Sequence, residues 1–62
     1  MAWLCVDKDG QEVLFISLPV RNVEEGCWVC KDGTNRVVEI RKGAIEQLTG
    51  KRITWEDEPI QI

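Results

Sequence analysis

Residues 2–6, Ala-Trp-Leu-Cys-Val, form an unbroken apolar run that Asp7-Lys-Asp-Gly10 ends. A second run over residues 12–18, rich in β-branched and aromatic side chains, is stopped by Pro19. Asp9-Gly10 between them supplies the positive-φ residue of a tight turn, so the two runs are predicted to pair as a hairpin. Residues 20–26 read as a connection, because Pro19 cannot donate to a central ladder and Glu24-Glu25-Gly26 is turn-like. Strands are predicted over residues 27–31 and 36–41, joined by a second turn at Asp32-Gly33-Thr-Asn35. In the later strand Val38 and Ile40 share one face, Val37 and Glu39 the other.

The period then changes. Ala44, Ile45 and Leu48 recur at i, i+1 and i+4, which predicts one short helix over about residues 43–49. Gly43 is a weak N-cap and Gly50 suits the left-handed position that ends a helix. So short a helix cannot stand alone in water, and its apolar stripe is expected to rest on the sheet with Ile53 and Trp55, which share a strand face. Glu56-Asp57-Glu58-Pro59 turns the chain into a last strand holding Ile60 and Ile62.

The pattern predicts one small domain over residues 1–62, mainly β (a small α+β fold). It is an antiparallel meander of about five to six short strands, curled or barrel-like. The helical turn before the later strands is also similar to an SH3-like small barrel, the alternative topology. The first hairpin is apolar on both faces: Trp3 and Cys5 against Leu4 and Val6, Val13 and Phe15 against Leu14 and Ile16. A sheet in so small a monomer has one wet face as a rule, so two dry faces imply a curled barrel plus the helix, or a second subunit. Trp3, Leu4, Val13 and Phe15 are therefore the candidate partner-binding residues.

Composition narrows the function classes. The chain has 62 residues and a hydrophobic share of 44%. It has enough apolar mass to fold, but a chain of this size buries only about 60% of its unfolded surface. Three tryptophans, Trp3, Trp28 and Trp55, compensate, each able to bury about 150–250 Å². There is no histidine, which excludes imidazole catalysis and imidazole metal ligation. Ser17 is the only serine and has no nucleophile motif around it. No catalytic residue, cofactor or metal site is expected, and the protein reads as a non-enzyme. Three cysteines cannot all pair within one chain, Met1-Ala-Trp-Leu runs straight into a strand pattern, and no apolar run is long enough to span a membrane. A reduced cytoplasmic protein is expected.

Cys27-Trp-Val-Cys30 is the one motif with chemical meaning. Zinc needs four ligands, and only Cys5 remains as a third thiol. Residues three apart on a strand face opposite sides, and no helix follows Cys30 to lower a thiol pKa. Both cysteines are expected to act as small hydrophobes, with metal binding in some states left open.

Charge is uneven: residues 1–30 sum to −3, residues 31–55 to +3 and residues 56–62 to −3. The basic stretch, through Arg41, Lys42, Lys51 and Arg52 with Trp28 and Trp55 alongside, offers an alternative function as a small-barrel nucleic-acid binder. Overall acidity argues against it, and both tryptophans sit in apolar-periodic strands. Glu56-Asp57-Glu58 reads as a solvated turn, since three consecutive acids do not converge on one cation in an extended chain.

Lys42-Gly-Ala-Ile-Glu-Gln-Leu-Thr-Gly50 and Thr54-Trp-Glu-Asp-Glu-Pro59 resemble the C-terminal half of short uncharacterised proteins encoded by bacteriophages and prophages. In those, a Lys-Gly-x-Ile-x-x-Leu-x-Gly helix precedes a Thr-Trp-x-Asp-x-Pro ending. The resemblance covers about twenty residues and carries no residue role with it. It implies a phage-type accessory protein in a bacterial host cell. The expected function is protein–protein interaction, as a homodimer or docked on a host or phage protein.

Overall fold

A computed structural model describes residues 2–30 and 37–62. Its first two strands, β1 (Trp3–Val6) and β2 (Glu12–Phe15), pair antiparallel from Trp3 opposite Phe15 to Val6 opposite Glu12. The turn between them is closed by Gly10 N–H donating to Asp7 O at 2.9 Å and Asp7 N–H to Gln11 O at 2.8 Å. Gly10 has a φ of +93°, the conformation for which the Asp-Gly pair was read.

Pro19–Asn22 is a strand, β3, where the hydrophobic pattern predicted a connection. It pairs antiparallel with β4 (Cys27–Cys30), Pro19 opposite Cys30 and Asn22 opposite Cys27. Pro19 is tolerated because it is the first residue of a strand in a sheet of only two strands, where a missing N–H can face outward. The Glu24-Glu25-Gly26 turn lies where expected. It is fixed by Gly26 N–H to Asn22 O (2.9 Å) and by Glu25 N–H to the Asn22 side-chain oxygen (3.1 Å).

The remaining strands, β5 (Val37–Ile40) and β6 (Ile60–Gln61), join opposite edges of the first hairpin, giving a four-stranded order β5-β2-β1-β6. The protein is therefore mainly β, with six strands in two antiparallel sheets and one short helix, α1 (Ala44–Thr49), among the described residues. Among the described residues, pairing between neighbours in sequence is confined to β1–β2 and β3–β4, so the simple meander does not hold. Among the described residues β4 and β5 do not pair with each other, contrary to the hairpin expected between strands at 27–31 and 36–41; residues 31 and 36 and its turn at residues 32–35 lie outside the described residues. No barrel closes among the described residues. The physical reason lies in the first hairpin: strands that are apolar on both faces belong at the centre of a sheet, covered from both sides.

That covering is supplied by the chain itself. On one side Cys5, Val13 and Phe15 pack with Trp28, flanked by Trp3, Cys30 and Trp55. On the other, Leu4 and Val6 pack with Ile45 of α1, flanked by Leu14, Ile40, Ile53 and Ile60. Ile53 and Trp55 reach these two clusters without forming a strand. Asp57 captures the Thr54 N–H at 2.7 Å, and the Asp57 N–H returns to Thr54 O at 3.0 Å, a local turn that takes the backbone groups a ladder would use. Leu48, expected in the helix stripe, is 66% exposed, since α1 is six residues long and seats only its first turn on the sheet.

Candidate functional site

The structure moves the candidate site away from the first hairpin. Leu4, Val13 and Phe15 are buried within the subunit, and Trp3 is half-buried against the Trp28 cluster. These four side chains are core, and the two dry faces that suggested a partner are explained by β3–β4 on one side and α1 on the other.

On the β3–β4 side, Arg21 is the organising residue. Its strand position points it inward, opposite Trp28 in the ladder. The guanidinium carbon lies 4.7 Å from the Trp28 ring centroid and 5.3 Å from that of Trp55, and the two indoles meet edge to face at 5.8 Å. One guanidinium nitrogen donates to Trp55 O (3.0 Å) and Asp57 O (3.1 Å), tying the 54–57 turn to β3. The Arg21 Nε is buried without a partner among the described residues, a cost the cation–π contacts and two carbonyl bonds must offset. Trp28 is fixed at both ends: its indole N–H donates to Val6 O (2.9 Å) and its backbone N–H to the Asp7 carboxylate (3.0 Å).

On the α1 side an open groove of about 670 Å³ runs between the β1–β2 turn, the start of α1 and residues 51–56. Val6, Ile45, Ile53 and Trp55 contribute apolar surface to it, and Lys8, Lys42, Lys51 and Arg52 contribute cations. Its acids are mostly committed elsewhere. Glu12 crosses from β2 to accept from the Gly43 N–H (2.8 Å) and the Ile45 N–H (2.9 Å). It thereby supplies the side-chain cap that Gly43 cannot give α1, at the helix end where a carboxylate is favoured. Asp7 accepts from Trp28, and Glu46 pairs with Arg52 at 3.3 Å. Lys8, Lys42 and Lys51 make no side-chain hydrogen bond or ion pair among the described residues, and of the groove's carboxylates only Glu56 is likewise uncommitted.

Of the four basic residues singled out for nucleic acid, the groove thus gathers Lys42, Lys51 and Arg52, while Arg41 lies outside its lining. Lys31 and Arg36 fall outside the described residues. Sequence patterning missed Lys8, Glu12 and Arg21. Glu12 gave no local sign of its role, because the helix it caps begins about thirty residues later. Arg21 left a faint one, a lone cation following Leu18-Pro19-Val20 in a stretch that reads as a connection.

The cysteine motif flanks Trp28, and none of the three cysteines lines the groove. Cys27, Cys30 and Cys5 are unpaired thiols. Cys30 packs against the Trp28 cluster, whereas Cys27 sits beside Asp7, Asp9 and Glu25. Burial, with those carboxylates adding to it, pushes the Cys27 thiol up, and burial followed by the Asp7 charge pushes Cys5 to about 12. Both shifts oppose thiolate formation, the reverse of what redox chemistry requires.

Compared with protein-family models, with curated proteins and with solved structures, the chain finds no match.

Proposed function

We propose that this chain is a non-enzymatic protein-interaction module whose groove receives an acidic, partly apolar protein segment. One observation carries the reading: three lysines whose ammonium groups bond to none of the described residues stand around an apolar floor, while three of the four carboxylates there are held by the protein's own groups. A ligand offering a few carboxylates and an apolar side chain would complete both. The groove volume falls in the range of about 300–1,000 Å³ usual for ligand clefts. The phage-like stretches at residues 42–50 and 54–59 and the three unpaired thiols support an accessory role in the cytoplasm of a bacterial host cell.

The gathering of Lys42, Lys51 and Arg52 beside Trp55 favours nucleic acid as the second reading. The cationic zone is short, however, with Asp9 near one end and Glu56, Asp57 and Glu58 at the other. A polyphosphate chain would have to pass these acids, whereas a peptide with two or three carboxylates would not.

Titration with a short peptide of alternating Glu and Leu, followed by amide shifts in NMR, tests the reading. Saturable shifts at Lys8, Lys42, Ile53 and Trp55, lost in Lys42→Glu/Lys51→Glu, are expected. Equal binding of a Lys/Leu peptide, or no binding of either, rejects it. Tighter, salt-sensitive binding of a single-stranded oligonucleotide at the same residues would hand the site to the second reading.

A further inference from the structure

The turn between β3 and β4 carries the chemistry that the groove lacks. Val23 is 71% exposed, an apolar side chain presented to water at the tip of a hairpin. Glu24 and Glu25 follow it, both exposed. The tip is held in shape by the two bonds to Asn22 and by Gly26, whose φ of +70° suits glycine. Presenting it to a partner therefore costs little ordering. One apolar side chain followed by two carboxylates is the complement of an apolar floor rimmed by Lys8, Lys42 and Lys51.

We infer that the segment received by the groove is the tip Val23-Glu24-Glu25 of a second copy of this chain, exchanged reciprocally between two subunits. The inference rests on reading the groove as an acidic-segment site and names its occupant. None of the three tip residues lines the groove of its own subunit. Yet tip and groove are neighbours. The Lys8 N–H donates to Gly26 O at 2.9 Å, and the Lys8 stem lies against Gly26, where an added Cβ would meet its carbons at 3.2–3.3 Å. Knob and hole joined at Lys8–Gly26 allow a two-fold axis near that junction to place each tip in the other subunit's groove. Such a pairing closes as a dimer instead of extending into a filament. A contact made by two three-residue tips is small beside the standard of about 800 Å² per partner, so weak association is expected and the test calls for concentrated protein.

Sedimentation equilibrium from 10 µM to 1 mM tests it. A monomer–dimer equilibrium is expected for the wild-type chain. Glu24→Lys/Glu25→Lys and Lys42→Glu/Lys51→Glu are each expected to weaken it by about tenfold or more, because each sets like charges face to face. An equimolar mixture of the two variants is expected to restore the dimer, since both of its tip–groove contacts are again complementary. All four positions are exposed, and unchanged melting curves confirm that the variants fold. A wild-type chain monomeric at 1 mM, a dimer that survives both variants, or a mixture that stays monomeric overturns the inference. So does a dimer lost only in Val20→Glu/Val29→Glu, which places the contact on the outer face of β3–β4. A monomeric chain that still takes up the Glu/Leu peptide through Lys42 and Lys51 overturns self-docking alone and leaves the groove reading standing.

Discussion

The two sides of the central hairpin are covered by the same chain in opposite styles. Over Cys5, Val13 and Phe15 lies a layer anchored at many points: two indoles edge to face, an arginine against both rings, and hydrogen bonds from Trp28 to Val6 and Asp7 and from Arg21 to Trp55 and Asp57. Over Leu4 and Val6 lies a helix of six residues with one buried side chain, Ile45, held at its start by one carboxylate. The first side is closed, and the second leaves a groove. Where a short helix can bury only one residue, its neighbours stay at the surface, and that thin covering is what makes room for a ligand.

Replacing the anchor of each side exposes the difference. Trp28→Ala removes the buried indole of the closed layer and takes its N–H away from Val6 O, a loss of about 3–5 kcal/mol. For a domain this small that is most of its stability, and urea titration at 25 °C is expected to show little or no folded baseline. Ile45→Ala costs about 2–3 kcal/mol, at the lower end for buried isoleucine, because the thin side can partly collapse. It is expected to keep a cooperative transition and the near-ultraviolet tryptophan signal. Equal losses at the two positions would refute the asymmetry.

Glu12→Ala tests the carboxylate that ties the start of the helix to β2. Two helix-start N–H groups lose their acceptor, a cost of about 1–2 kcal/mol. Hydrogen exchange is expected to quicken at Gly43 and Ile45 and to stay slow at Trp28. Exchange quickening across both sheets would mean that α1 is bound into the fold more tightly than one carboxylate can explain.

This asymmetry also explains what could be read from the sequence. The β1–β2 hairpin, the short helix and its glycine stop were legible because each depends on residues close in the chain: Asp9-Gly10, the Ala44–Ile45–Leu48 spacing, Gly50. The neighbours of each strand were not. Patterning recorded that residues 2–6 and 12–18 are apolar on both faces, but a second subunit, a barrel wall and a two-sided covering leave the same pattern. Pro19 hid β3, since a residue that cannot serve a central ladder can still begin a strand whose edge is open. Leu48 obeyed helical periodicity, yet the helix is too short to bring it down to the sheet. The groove was half legible: Lys42, Lys51 and Arg52 stood out as a basic run, while Lys8 and Glu12 reach it only through folding.

Arg21→Lys probes the clasp of the closed side. Lysine keeps the charge and removes the Nε that bonds to no described residue, but loses the guanidinium contact with two indoles and the reach to two carbonyls. A loss of about 1 kcal/mol is expected, smaller than at Glu12 because the unmet Nε disappears with the guanidinium. The near-ultraviolet spectrum of Trp28 and Trp55 is expected to change, and the 54–57 turn to exchange faster. An unaltered spectrum would remove Arg21 from its organising role.

The smallest effect lies where the two sides meet, at Asp7. Burial holds its carboxyl above the usual carboxylate value of 3.8, with the Asp9 and Glu39 charges adding to the rise and the Trp28 N–H opposing it. An acid whose folded pKa is raised binds its proton more tightly folded than unfolded. Its charge therefore costs nothing below about pH 3.8, costs more as pH rises through the raised value, and costs its full amount at neutrality. Asp7→Asn retains an acceptor for the Trp28 N–H and has no charge to bury. The variant is expected to melt slightly above the wild-type chain at pH 7, and the gap to close as pH is lowered to 3. A variant that melts lower at pH 7 would show that the charged hydrogen bond to Trp28 outweighs the burial of Asp7, and that the closed side depends on this carboxylate as the open side depends on Glu12.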